Sequence, residues 1–310
     1  MFSVIFPGQG SQSVGMTSDL HSKFELFKKL YREADEILDY PISKLILNGP
    51  KEKLDLTENT QPAIFLVGYS IFQLLKEELN FDINKAKFFA GHSLGEYTAL
   101  ACTGALDFAS TLKILKLRGV AMQSAVPKGK GGMLAILGSD LNSIEKNLED
   151  NKNEYECFIA NDNSNAQLVV SGTVENINKL SKNLTAKNIK NIKLSVSAPF
   201  HCNLMSKATE LMKNEIEKLE FNNFQIPLIS NVTASEIKDK SMIKDLLVRQ
   251  IESRVRWRES VLYMINKGVK QFIEIGPGKV LSGLIKRIDN NVKNSAINKE
   301  EDISILKHND

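Results

Sequence analysis

The 310-residue chain is poor in the residues from which disulfide and redox sites are built. Its three cysteines, Cys102, Cys157 and Cys202, are odd in number, and none stand in C-x-x-C spacing. That leaves no disulfide framework and suits reduced thiols in a cytoplasmic protein. No metal site is expected. No apolar run approaches the length of a transmembrane helix, so no membrane span is expected. The N-terminus, MFSVIFPGQG, lacks a basic n-region, and its apolar run is too short for a signal peptide. An excess of one charge is also missing: Lys and Arg number 40, Asp and Glu 37, for a net +3. Nucleic acid is therefore not an expected partner, although a local basic patch facing an acidic one is compatible with this balance. What the chain does have is 42% hydrophobic residues, enough to fill one large domain or one domain with an insertion.

The most informative stretch is KFFAGHSLGEYTALACTG, from Lys87 to Gly104. Phe88-Phe89-Ala90 reads as a buried strand, and Glu96 to Cys102 as a helix. Between them Gly91-His92-Ser93-Leu94-Gly95 fits G-x-S-x-G. Strand, Gly-flanked turn and helix are the context of a nucleophile elbow, with Ser93 exposed at the strand end. The alternative is a Gly-rich turn that carries a serine by chance.

Other segments follow from periodicity and turn chemistry. Phe2 to Phe6 reads as a buried strand ending in the loop Pro7-Gly8-Gln9-Gly10-Ser11-Gln12, the kind of place where open α/β sheets bind ligands. Helices are expected over Asp19–Leu38, Pro62–Leu79 and Asp107–Ala125, the last with Asp107 as N-cap. After the linker Gly129–Gly132 come strand Met133–Leu137, helix Leu141–Glu149, strands Glu156–Ala160 and Gln167–Ser171, helix Val174–Lys187 and strand Ile189–Val196. Asn161 to Asn165 reads as a turn. This βαββαβ order is the ferredoxin-like unit. The chain then returns to α/β: helix Leu204–Leu219, strand Pro227–Ser230, helices Met242–Gln250 and Trp257–Lys267, strand Val269–Ile275 and helix Lys279–Ile288. The tail from Asn291 is polar, with Ile303–Leu306 as a candidate last strand. The expected fold is thus α/β: a hydrolase-like large domain with a parallel sheet (1–127 and 197–310) and an inserted ferredoxin-like small domain (128–196).

A serine hydroxyl needs a base to take its proton. Of four histidines, His21 lies on a polar outer helix, His308 in the charged tail, and His92 diverges from Ser93 at the elbow. His201 remains, where the insertion rejoins the large domain; a core histidine satisfied by backbone is the competing reading. No acidic partner for it stands out, so a backbone carbonyl or an amide is left to hold its Nδ1 proton. Cys202 has no elbow around it. The oxyanion would take one N–H from Leu94 and one from the Gln9 loop. On a helical wheel Arg118 falls among Ile114, Leu115, Ala121, Met122 and Ala125, with Lys113, Lys116 and Gln123 opposite. An arginine on an apolar face is a structural ion pair, a snorkelling side chain, or an anion receptor in a pocket.

These residues resemble the malonyl-CoA:acyl carrier protein transacylases of bacterial fatty acid synthesis. The shared motifs are Pro7-Gly8-Gln9-Gly10-Ser11-Gln12, Gly91-His92-Ser93-Leu94-Gly95-Glu96, Arg118, Phe200-His201, Leu247-Val248-Arg249-Gln250 and Gly276-Pro277-Gly278-Lys279-Val280-Leu281. They run in the family's order over nearly the whole chain. The resemblance implies malonyl transfer from malonyl-CoA to acyl carrier protein, without a cofactor. It implies Ser93 as nucleophile, His201 as base, Gln9 and Leu94 as oxyanion hole, Arg118 on the malonyl carboxylate and Gln250 orienting the histidine through its backbone. Phe200 should crowd an α-methyl group and favour malonyl over methylmalonyl. A basic rim of Lys190, Lys193, Lys286 and Arg287 is the candidate dock for the acidic carrier, and a cytoplasmic monomer is expected. A serine esterase or thioesterase, a non-catalytic carrier-docking subunit and a polyketide-pathway transferase are the alternatives.

Overall fold

A computed structural model describes residues 1–79, 81–196 and 198–303. Its ten strands are β1 (Phe2–Phe6), β2 (Phe89–Gly91), β3 (Gly131–Leu137), β4 (Cys157–Ser164), β5 (Gln167–Thr173), β6 (Lys190–Lys193), β7 (Leu228–Ile229), β8 (Glu236–Ile237), β9 (Gln271–Ile275) and β10 (Lys293–Ile297). Six form one sheet in the order β10-β9-β1-β2-β7-β8, and four form a second in the order β4-β5-β3-β6. In the first sheet every pairing is parallel except β7 with β8. The second is antiparallel throughout, with the ferredoxin-like strand order.

The large sheet is covered on both faces, which is why its strands read as apolar runs. Because successive side chains point to opposite faces, β1 divides its residues between two cores. Val4 and Phe6 join the cluster that includes Phe65, Phe72 and Leu115, whereas Ile5 packs with Trp257, Phe272 and Leu281. The small sheet has its own core of Leu134, Ile136, Leu168 and Val170 against Ile144, Ile177 and Leu180. Parallel pairing sends the carboxyl ends of β1, β2 and β7 to one edge. The Gln9 loop, the Ser93 turn and Ser230-Asn231 therefore converge there.

Several elements differ from the periodicity-based expectation. The helix expected over Asp19–Leu38 is two, Ser18–Lys23 and Glu25–Leu38, separated by Phe24 in an extended conformation. The second expected helix starts earlier, at Thr57, and carries Pro62 inside it. Helices Ile42–Asn48 and Lys51–Leu54 were not anticipated. The turn expected over Asn161 to Asn165 is confined to Asn165-Ala166, because β4 continues to Ser164, with register shifts near Ile159 and Asp162. Two of its polar side chains, Asp162 and Asn163, find partners outside their own sheet, so there turn chemistry loses to tertiary contacts. Asp162 takes a forked contact from Arg258 at 2.8–3.0 Å, and the Asp162 N–H donates to the Val255 carbonyl at 3.0 Å. Polar β10 was also missed; it needs no apolar pattern because it is an edge strand paired only with β9. Ile303 ends a short helix that begins at Glu300, and the rest of the expected final strand lies outside the described residues, as does His308.

Candidate active site

Two glycines shape the Ser93 turn. A Cβ on Gly91 would sit 1.9 Å from the Gly95 carbonyl, and one on Gly95 would sit 2.3 Å from the Phe6 carbonyl oxygen. Only bare backbone lets β2, the Leu94–Cys102 helix and the end of β1 approach so closely. Ser93 takes φ 54°, ψ −111°, a conformation most side chains avoid. Asn231 clamps the turn open: its Oδ1 accepts from the Ser93 N–H at 2.7 Å, and its Nδ2 donates to the Gly91 carbonyl at 2.7 Å.

Ser93 Oγ lies 2.8 Å from His201 Nε2. His201 Nδ1 lies 2.9 Å from the Gln250 carbonyl oxygen. A carbonyl only accepts, so the Nδ1 carries the proton and Nε2 offers its lone pair to the serine hydroxyl. The turn carrying the histidine is tied to the small sheet by Ser171, whose Oγ donates to the Phe200 carbonyl at 2.6 Å. Arg118 is 1% exposed. Its Nη1 donates to Gln61 Oε1 and its Nη2 to Gln250 Oε1, each at 2.9 Å, and Nη2 reaches Ser93 Oγ at 3.3 Å. The Tyr97 ring lies 5.5 Å from the guanidinium carbon. No carboxylate touches the guanidinium directly among the described residues, which argues against a structural ion pair. Gln9, Ser93, Leu94, Arg118, Phe200 and His201 all line one cavity of about 450 Å³ between the two sheets. Gln250 stands behind them, buried.

Residues 3–303 match the acyl transferase domain family. The chain is 41% identical over 307 residues to the malonyl CoA-acyl carrier protein transacylase of Bacillus subtilis, covering 97% of this chain and 94% of that one. It is 38% identical over 298 residues to the protein of that name from Escherichia coli K12, covering 96% of each. The chain belongs to the acyl transferase family, among these transacylases. Solved structures agree. An acyl-carrier-protein-S-malonyltransferase from Bartonella henselae superposes with a TM-score of 0.95 at 38% identity, over 99% of both chains. A malonyl-transacylase solved in complex with its type II polyketide acyl-carrier protein does so with 0.95 at 37%, also over 99% of both.

The electrostatics of this transacylase site follow from burial. Desolvation first, and the Arg118 guanidinium second, push His201 down to about 3, so it is neutral at pH 7. His92 is lowered by burial as well; its ring turns away from His201 to Asn163 Oδ1, 2.9 Å from Nε2. Burial pushes Cys202 up to about 12, which keeps it a thiol and removes it as a rival nucleophile. Burial also raises Glu96, to about 7. Glu96, Gln61, Asn231 and Asn163 were given no site role from the sequence, although Glu96 closes the Gly91–Glu96 motif and Asn163 falls in the expected turn. The available signal for Glu96 was an acid inside an Ala- and Leu-rich helical stretch. For Gln61 it was a polar residue beginning a run of apolar ones. Asn231 and Asn163 carried none, because their partners are 138 and 71 residues away.

Proposed function

We propose that the chain transfers a malonyl group from malonyl-CoA to the phosphopantetheine thiol of an acyl carrier protein, by a ping-pong route through a Ser93 ester. Ser93 Oγ gives its proton to His201 Nε2 and bonds to the thioester carbon. The Leu94 and Gln9 N–H groups receive the oxyanion. The C–S bond breaks, and the imidazolium returns the proton to the departing CoA sulfur. The carrier thiol then repeats the sequence in reverse, giving its proton to His201 and taking the acyl group. The Gln250 carbonyl holds the Nδ1 proton throughout, so no acidic third member is required.

One observation carries the choice of acyl group: Arg118 Nη2 is 3.3 Å from the nucleophile's oxygen. A cation that close to the reacting centre suits a diacid with a single carbon between its carboxylate and its thioester carbonyl. Neutral acyl chains give such a buried cation no partner, which disfavours a general esterase. Phe200, buried at the cavity edge, limits branching on that one carbon. In this reading residues 128–196 are the inserted unit, Lys190, Lys193, Lys286 and Arg287 guide the acidic carrier, and the protein works as a cytoplasmic monomer. Among the described residues no helix is long and apolar enough to cross a membrane.

Brief incubation with malonyl-CoA followed by peptide mapping tests the route. Malonate is expected on Ser93 and nowhere else, and Ser93→Ala should form no acyl-enzyme. Malonate on any other residue sinks the mechanism.

A further inference from the structure

The side-chain amide of Gln250 is held at both ends. Its Oε1 accepts from Arg118 Nη2 at 2.9 Å, while its Nε2 donates to Glu96 Oε2 at 2.7 Å and to the Ser93 carbonyl at 3.1 Å. The two ends of an amide are nearly alike in shape and opposite in hydrogen bonding. The guanidinium only donates and so favours the oxygen end; the groups at the other end fix how firmly that orientation is held. Glu96 Oε2 already accepts from the Asn231 N–H at 3.1 Å, which orients it as an acceptor. Glu96 is 1% exposed, on the first turn of the Leu94–Cys102 helix, so it has no room to swing away. With that acceptor in place the Gln250 NH₂ turns toward Glu96, and its oxygen toward the guanidinium. Without it, the amide is held only by the Ser93 carbonyl and the guanidinium itself, and its NH₂ group is left one acceptor short.

The placement has a second merit. A carboxylate in direct contact with Arg118 would occupy the fork that the substrate carboxylate needs. Glu96 sits one amide behind, so it steadies the guanidinium without itself occupying that fork.

We propose that Glu96 is a positioning residue for acyl selection: by locking the Gln250 amide it holds Arg118 in register with Ser93 for a substrate carboxylate. This rests on the reading of Arg118 as the carboxylate receptor.

The test compares malonyl-CoA and acetyl-CoA as donors, with Ser93 labelling by a fluorophosphonate as a readout of the serine–histidine pair alone. Glu96→Met removes the acceptor at similar size. It should lower kcat/KM for malonyl-CoA by about tenfold or more, mostly through KM, the signature of a weakened binding contact. Acetyl transfer and fluorophosphonate labelling should stay within about threefold of wild type. Glu96→Gln keeps an oxygen for Asn231 and Gln250 and should recover most of the malonyl activity. Glu96→Asp keeps the carboxylate but draws it back from the Gln250 amide, so it should show the same malonyl-selective loss in smaller degree even where Glu96→Met fails to fold. Equal loss of malonyl transfer and of labelling, or no loss in either variant, overturns the proposal. Failure of Glu96→Gln to recover overturns the acceptor argument. Arg118→Ala separates the two levels: if it leaves the malonyl-to-acetyl ratio unchanged, the receptor reading itself falls, whatever Glu96 does.

Discussion

Ser93 and His201 both hold left-handed backbone conformations, at φ 54° and φ 58°. Neither is a glycine, so the surrounding structure must impose them. For Ser93 that structure is the Asn231 clamp and two close glycine contacts; for His201 it is the Ser171 tie on the preceding carbonyl. Burial, first, and Arg118, second, make this base one that stays neutral in acid. An imidazole lowered from 6.5 to about 3 keeps its lone pair as pH falls through 6.5, and loses it only on approach to the lower value. Fluorophosphonate labelling of Ser93 should therefore show no acid limb at 6.5. In Arg118→Ala the limb should rise but stay below 6.5, because burial is the larger cause and remains. A wild-type inflection at 6.5 would contradict the assignment. At this scale the two reacting residues were legible because one sits in a glycine frame and the other is a scarce type. Glu96 and Gln61 were not, since what makes a buried polar residue useful is the partner that folding brings to it.

Elements built on apolar runs or on helical periodicity were the legible ones, β1 to the residue. Those that failed include the short helices Ile42–Asn48 and Lys51–Leu54 and two polar strand segments stabilised from outside: β10 on a sheet edge, and the end of β4. The latter is the main seam between the two sheets. Besides Asp162 with Arg258, the Val255 N–H donates to the Ala160 carbonyl at 2.8 Å, and His92 meets Asn163. Asp162 is fully buried, and the Arg258 side chain is 23% exposed. Arg258→Ala leaves an unpaired buried carboxylate and should cost about 3 kcal/mol, the low end for a broken buried pair because Arg258 is partly hydrated. Urea unfolding checks this. A midpoint within error of wild type would mean that the backbone contacts of β4 suffice on their own.

For the whole molecule, net charge is a weak +3, so attraction of an acidic carrier depends on where the lysines and arginines lie. Lys190 and Lys193 are exposed on β6, and Lys286 and Arg287 on the helix Val280–Ile288, where Arg287 also donates to Gln167. Ile192, Leu194 and Val280 stand exposed between them. Reversing both Lys286 and Arg287 to glutamate should slow carrier acylation at low salt by about tenfold, the lower range for electrostatic steering. The gap should close as ionic strength rises and the screening length falls below about 10 Å. Kinetics that ignore both substitution and salt would place the dock elsewhere.

The four-stranded sheet meets the rest of the chain at several places. A Cβ on Gly131 would sit 2.2 Å from Pro199 Cδ. At one margin β4 is bound to Val255 and Arg258, and Gln167 on β5 accepts from Arg287 at 2.6 Å. Ser171, also on β5, donates to the Phe200 carbonyl, one residue before the base. The sheet that walls the cavity and the imidazole that takes the proton are therefore one mechanical part: a displacement of the wall is handed to the base through a single hydrogen bond.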